Sequence, residues 1–291
     1  MDTTWSRTGD IITIDAQVER SGDVLWMLLR SDAHHDSRQC DRALEKKHLE
    51  LAKERGALIL DFGDVFDGMQ TRTDPRRSTR DLRAEHLESS YLNAIVNEAA
   101  KCYASYASQW VMIGEGNHEQ AIQKYSDYCV TSGLISQMNT PENGGHVLAG
   151  GYEGYVRVRF TWPKGNTRSR SDSFLIYYTH GSGGGARRSK GILKADLRAA
   201  VRPDADIVVS AHVHSSWQLP MVKERVNTIG IVRQELAWHL QLPSYKLPGA
   251  WEQSKEMSAH PLGAHWLRIE TTGGHSGGKK QFVIEPRWGI E

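Results

Sequence analysis

Five groups of acidic, imidazole and amide side chains stand out in the 291-residue chain. They are Asp32-Ala33-His34, Gly63-Asp64-Val65-Phe66-Asp67, Gly116-Asn117-His118-Glu119, His180, and His212-Val213-His214. Carboxylate oxygens, imidazole nitrogens and an amide oxygen together suit borderline divalent transition metals. They do not suit calcium, nor a closed thiolate zinc site. A carboxylate such as Asp64 has two oxygens and can bridge two ions. Two ions about 3.5–4 Å apart can share a water, turn it into hydroxide and clamp a phosphoryl group during in-line attack. In this composition a His-x-His pair arises about 0.6 times by chance, so it means nothing alone, whereas Gly-Asn-His-Asp/Glu arises roughly 0.003 times. The ordered set of five is rarer still.

Each group needs an element that delivers it. Apolar runs typical of buried strands stand directly before them: 24–31, 57–62, 109–114, 174–180 and 206–214. Amphipathic helical periodicity lies over 40–55, ended by Gly56, and over 82–108, with a short helix to about Val130 and another over 193–201. Strand–helix–strand order predicts a parallel sheet covered by helices, whose ligand crevice lies beyond the carboxyl ends of the strands. The spacings Asp-x-His and His-x-His predict alternate side chains on one side of an extended backbone. Residues 11–18 read as an edge strand, and 144–162 as strands separated by Gly-rich turns. Residues 164–173 read as a hairpin tip, and 222–291 as several strands, RVNTIGIV (225–232) among them. No linker divides the chain, so 1–291 reads as one α/β domain, with its chemistry in 31–214 and strands from 222–291 completing a second sheet.

Composition excludes several classes. Apolar residues at 39% and charged residues at 24% describe a globular chain. The longest apolar run, Val24 to Leu29, is far short of the about 20 residues a spanning helix needs. The opening MDTTWSRTGD lacks a signal-peptide pattern. Thirty-six basic and 35 acidic residues give a net charge of +1, which excludes a strongly basic whole-molecule field for nucleic acid but not a local basic site. Cys40, Cys102 and Cys129 have no paired zinc spacing and read as reduced packing thiols of a cytoplasmic protein.

The five groups, in this order, resemble the calcineurin-like metallophosphoesterase superfamily, over about 180 residues. The wording around them (SDAHHDSRQCDRAL, FGDVFDGMQ, HGSGGGARRSKG) is similar to phage-encoded members. Ala211 stands where that pattern has glycine. The resemblance implies a four-layer α/β/β/α sandwich and a dinuclear centre working through a metal-bridged hydroxide. It implies Asp32, His34 and His214 on one metal, Asn117, His180 and His212 on the other, and Asp64 bridging. His118 would protonate or stabilise the leaving oxygen, and Asp67 would orient it. Manganese is the first expectation, with zinc, iron or nickel as alternatives.

Substrate contacts are expected from Arg187 and Arg188, in a Gly-rich loop after His180, and from Arg76 and Arg77 after the Asp64 group. Trp217, just beyond His214, could stack a base. His35, in an extended segment, points away from the site; His146 reads as a turn residue, and Glu119 as a helix N-terminal residue. The leading expectation is a phosphodiesterase or nuclease acting on nucleic acid or nucleotides, with no membrane partner. A phosphomonoesterase is the alternative, and a non-catalytic scaffold of the same fold ranks below both.

Overall fold

The structure, a computed structural model, describes residues 1–68, 82–86, 90–162, 170–183, 189–226, 228–249, 259–272 and 282–290. The first half runs β1 (Asp2–Thr8), β2 (Ile11–Gln17), β3 (Val24–Arg30), α1 (Arg42–Arg55), β4 (Leu58–Asp61), a 3₁₀ turn at Ala84–His86, α2 (Tyr91–Tyr103), β5 (Trp110–Gly114), α3 (Asn117–Ser126) and α4 (Val130–Met138). The second runs β6 (Leu148–Gly151), β7 (Glu153–Trp162), β8 (Arg170–Thr179), α5 (Leu193–Val201), β9 (Ile207–Ser210), β10 (Trp217–Val226), β11 (Val232–Gln241), β12 (Gly263–Thr271) and β13 (Phe282–Ile290).

Two sheets pack face to face with helices outside, the four-layer α/β/β/α sandwich. One has the order β13-β12-β3-β4-β5-β6, the other β1-β2-β7-β8-β9-β11-β10. β3, β4, β5 and β6 are parallel neighbours, as the strand–helix order predicts. β3 reads as an unbroken apolar run because both its faces are covered. Met27 and Leu29 enter the core between the sheets with Ile14, Leu60, Phe160, Phe174 and Leu240. Leu28 points the other way, with Ile59 and Trp110, against Leu49 and Ala52 of α1, Ile95 and Ala99 of α2, and Leu134 of α4. β7 is one-sided: Val156, Val158 and Phe160 are buried while Arg157 and Arg159 are exposed.

Several expectations change. Residues 170–173 belong to β8 rather than to a 164–173 tip, and the helical reading of 82–108 shrinks to α2, with Leu82 instead bridging Ser37. Residues 222–291 do not complete one sheet: β10 and β11 join the seven-stranded sheet, while β12 and β13 extend the other through antiparallel pairing of β12 with β3. The reason is that β12 buries both faces, with Trp266 on the helix side and Leu267 and Ile269 between the sheets. RVNTIGIV is not one strand. β10 stops at Val226 and β11 starts at Val232, and Gly230 takes φ +80° in the connection. The 11–18 strand is not the edge; β1 lies outside it, paired from Asp2↔Gln17 to Thr8↔Ile11.

A charged knot sits beneath the carboxyl end of β3. Arg30 is wholly buried, with Nε donating to Asp61 at 2.7 Å and Nη2 to Glu45 at 2.7 Å and to the Tyr103 hydroxyl at 3.3 Å. Its guanidinium also lies over the rings of Tyr103, Trp110 and Tyr245.

Candidate metal centre

The loops that leave β3 and β4 run side by side. The amides of Asp32, His34 and His35 donate to the carbonyls of Gly63 (2.9 Å), Asp64 (3.0 Å) and Val65 (2.7 Å). The loop after β9 is drawn to them, since the His212 amide donates to Asp32 Oδ2 at 3.1 Å and the Ala211 amide to the His180 carbonyl at 3.2 Å. A strap after β11 holds the far side. The Tyr245 amide and the Ser244 hydroxyl both donate to the Asp32 carbonyl, and Lys246 Nζ donates to Asp67 Oδ1 at 2.8 Å.

The donors do not converge by strand alternation. Among the described residues seven non-glycines have positive φ, and five of them are Asp32, His34, Asp64, His212 and His214. Such φ values cost an L residue energy and gather where surrounding contacts over-determine the backbone. Here left-handed residues, rather than an extended chain, turn both side chains of Asp-x-His and His-x-His inward. Gly116 is forced by the same crowding: a Cβ there would stand 2.0 Å from Asp64 Oδ1.

Three triads result, each with ligand-capable atoms all within 4.8 Å of one another: Asp32, His34 and His214; His34, Asp64 and His118; and Asp64, His180 and His212. His214 Nε2 lies 3.2 Å from Asp32 Oδ1, and His180 Nε2 3.0 Å from Asp64 Oδ2. Asn117 opens α3 between Gly116 and His118, and its Oδ1 is buried without a hydrogen-bond partner. Asp32 Oδ1, both ring nitrogens of His34, and His180 Nε2 are also buried without one. Buried polar atoms are ordinarily satisfied. A set of mixed O and N donors left open towards one another fits divalent cations.

Supporting contacts fix ring orientation. His180 Nδ1 donates to the Phe62 carbonyl at 2.9 Å, which aims Nε2 at Asp64. His118 Nδ1 donates at 2.6 Å to the backbone carbonyl of Asp67, not to its carboxylate, which is 3.9 Å away. That carboxylate instead serves Lys246 and lies 3.0 Å from His34 Nδ1. Asp67 therefore orients His118 through its main chain. The Glu119 carboxylate accepts from the amides of Asp64 (3.0 Å), Phe66 (3.0 Å) and Gly116 (2.8 Å), lashing two loops to α3.

Electrostatics follow from burial and crowding. Burial and Lys246 push the His34 pKa down to about 4, leaving it neutral. Burial also opposes charge on His180, but Asp64 lifts its pKa to about 10. Burial would raise Asp64; His180 and His118 outweigh it and hold the carboxyl well below its ordinary range. Burial and the Asp64 charge push Glu119 up to about 8, against its amide donors.

Other expected residues lie elsewhere. Arg76, Arg77, Arg187 and Arg188 fall outside the described residues. Trp217 is half-buried, and its Nε1 donates to the Lys190 carbonyl at 3.0 Å. His35 points away, its Nδ1 2.7 Å from Glu45. His146 packs against Trp5 of β1, with ring centroids 6.3 Å apart. Lys246 and Asp36, whose carboxylate accepts from the amides of Asp67 and Gly68 and from the Tyr91 hydroxyl, were invisible in sequence. Neither belongs to a local pattern.

No curated protein matches this chain. A crystal structure of a conserved uncharacterized protein from Streptococcus pneumoniae TIGR4, a predicted phosphoesterase, is similar at 12% identity, covering 91% of this chain and 99% of that one, with a TM-score of 0.31. A TM-score that low does not establish a shared fold. The family model described as calcineurin-like phosphoesterase matches residues 25–216, about two thirds of the chain and all five donor groups. With that match over the strands that carry the open donors, the chain belongs to the calcineurin-like phosphoesterase family.

Proposed function

We propose that the protein is a dinuclear metal-dependent phosphodiesterase acting on nucleic acid or nucleotides. The observation that carries the metal centre is the position of Asp64, whose carboxylate belongs to two donor triads at once. Asp32, His34 and His214 would hold one cation, Asn117, His180 and His212 the other, with Asp64 shared. Bound divalent ions supply Lewis-acid stabilisation of phosphoryl oxygens and a water ionised near neutral pH; manganese is our first assignment.

The chain's own residues do the rest. His118 is more open to solvent than Asp32, Asp64 or His180, and its Nδ1–H is tied to the Asp67 carbonyl. Its Nε2 therefore faces the pocket 4.0 Å from Asp64 and is placed to give a proton to the departing oxygen. Burial would raise the Asp67 carboxyl, but Lys246 beside it holds it well below its ordinary range, so Asp67 faces the pocket as an anion. The diester reading rests on Arg76, Arg77, Arg187 and Arg188, which lie within about ten residues after the Asp64 and His180 groups in sequence.

Parallel assays with bis-p-nitrophenyl phosphate, p-nitrophenyl phosphate and labelled single- and double-stranded DNA, on stripped protein resupplied with Mn²⁺, test this. We expect turnover of the diesters. Hydrolysis of the monoester alone would make the protein a phosphomonoesterase, and no metal-dependent turnover of any of the four would leave the scaffold reading.

A further inference from the structure

A second cluster of metal-capable side chains lies behind the centre, on the far side of the His34 loop. A ring nitrogen of His35, an oxygen of Glu98 and the sulfur of Cys102 lie within 4.8 Å of one another. Glu98 and Cys102 stand four residues apart on α2, hence on one helix face. His86, from the 3₁₀ turn, hydrogen-bonds Glu98 Oε2 through its Nε2 at 3.0 Å, and His35 Nε2 lies 3.8 Å from the same oxygen. His35 is 2% exposed, and its Nε2 has no hydrogen-bond partner.

We propose that His35, His86, Glu98 and Cys102 form a second, non-catalytic site for a zinc-class divalent cation, which pins the His34 loop to α2.

Three observations support it. His35 is oriented as a ligand: Nδ1 is bound at 2.7 Å by Glu45, which is itself held by Arg30 and Tyr103, and Nε2 is left to face the cluster. A carboxylate behind one ring nitrogen and a cation before the other is the usual setting of a metal-bound histidine. The spacing also fits. Ligand bonds of about 2.0–2.3 Å at tetrahedral angles put neighbouring donors about 3.3–3.8 Å apart; the His35–Glu98 separation of 3.8 Å meets the upper end of that range, and the hydrogen-bonded His86–Glu98 pair at 3.0 Å would open by a few tenths of an ångström. Finally, Glu98 is already held in place: Arg42 spans both its oxygens and His86 Nε2 hydrogen-bonds Oε2 at 3.0 Å, a bond that a cation would replace with its own. The rival occupant is a proton. Burial disfavours charge on His35, but Glu45 lifts its pKa to about 9. The same negative surroundings attract a cation, which must displace that proton.

Cobalt separates the two, because the catalytic cluster contains no sulfur donor. The full-length chain, stripped with EDTA, is titrated with Co²⁺ at pH 8. We expect a near-ultraviolet thiolate-to-cobalt absorption that is lost in Cys102→Ser, reduced in His35→Gln and kept in Cys129→Ser. Hydrolysis of bis-p-nitrophenyl phosphate by Cys102→Ser should stay at the wild-type level. Cys102 is exposed, so iodoacetamide should alkylate it in stripped protein, and Zn²⁺ should slow that at least about tenfold as the thiolate is taken up. Absence of the band, or its survival in Cys102→Ser, would overturn the site and leave a protonated ion-pair network. Undiminished alkylation with Zn²⁺ would do the same, and this needs no variant to fold.

Discussion

Two charged clusters sit at the carboxyl end of β3, a few residues apart, and they are built oppositely. Around Arg30, one guanidinium is met by two carboxylates and a phenol at hydrogen-bond distance, and three aromatic rings close over it; only Nη1 lacks a hydrogen-bond partner. Around Asp64, carboxylates and imidazoles approach to 3.0–3.2 Å, yet Asp32 Oδ1, His34 and His180 Nε2 remain without hydrogen bonds. The first cluster is complete within the chain and holds structure. The second is complete only with something added. Among buried charges, openness towards a common point, rather than density, marks the ligand site.

The sharpest break in this contrast is Asp64→Asn. It should lower kcat/KM by well over the 10–100-fold typical of a ligand's outer partner, with metal retention after desalting falling in parallel. Arg30→Met should do the reverse. It strands Glu45 and Asp61 as buried charges and should cost about 3–5 kcal/mol in urea unfolding, while metal content per folded molecule stays the same.

His118→Asn comes next. Turnover should slow roughly a hundredfold, with metal content unchanged by mass spectrometry; loss of metal would move His118 into the ligand set. The smallest effect concerns pH. Burial would raise the Glu45 pKa, but His35 and Arg30 hold it well below its ordinary 4.5. Its contribution is therefore complete above about pH 4.5 and drains away as pH falls further. Glu45→Gln should flatten that acid limb in stability measured against pH.

Much of this was legible in sequence, for a physical reason. Buried strands announce themselves as apolar runs, and the site residues sit where those runs stop, so Asp32, Asp64, Asn117, His180 and His214 could be placed near one another without coordinates. α5 was legible at about 193–201, although Leu193, Leu197 and Val201 are exposed and only Ala195 of that helix is buried. Partners supplied from a distance were not legible. Nothing near Lys246 shows that it reaches Asp67, 179 residues away. Nor does a residue's type reveal that Asp32 or His212 must take left-handed backbone, since that is imposed by neighbouring loops. β12 shows the same limit: its apolar pattern predicts a strand but not which sheet recruits it.

The strap at 244–246 carries one more consequence. It lies beyond the stretch matched by the family model, which ends at 216, yet it supplies two donors to the Asp32 carbonyl and the cation facing Asp67. The recognisable family portion is thus not a portable module. Excised after residue 216, it would keep every donor proposed for the metals and lose the brace that sets two of the loops carrying them, so a minimal version of this protein has to be drawn past Lys246.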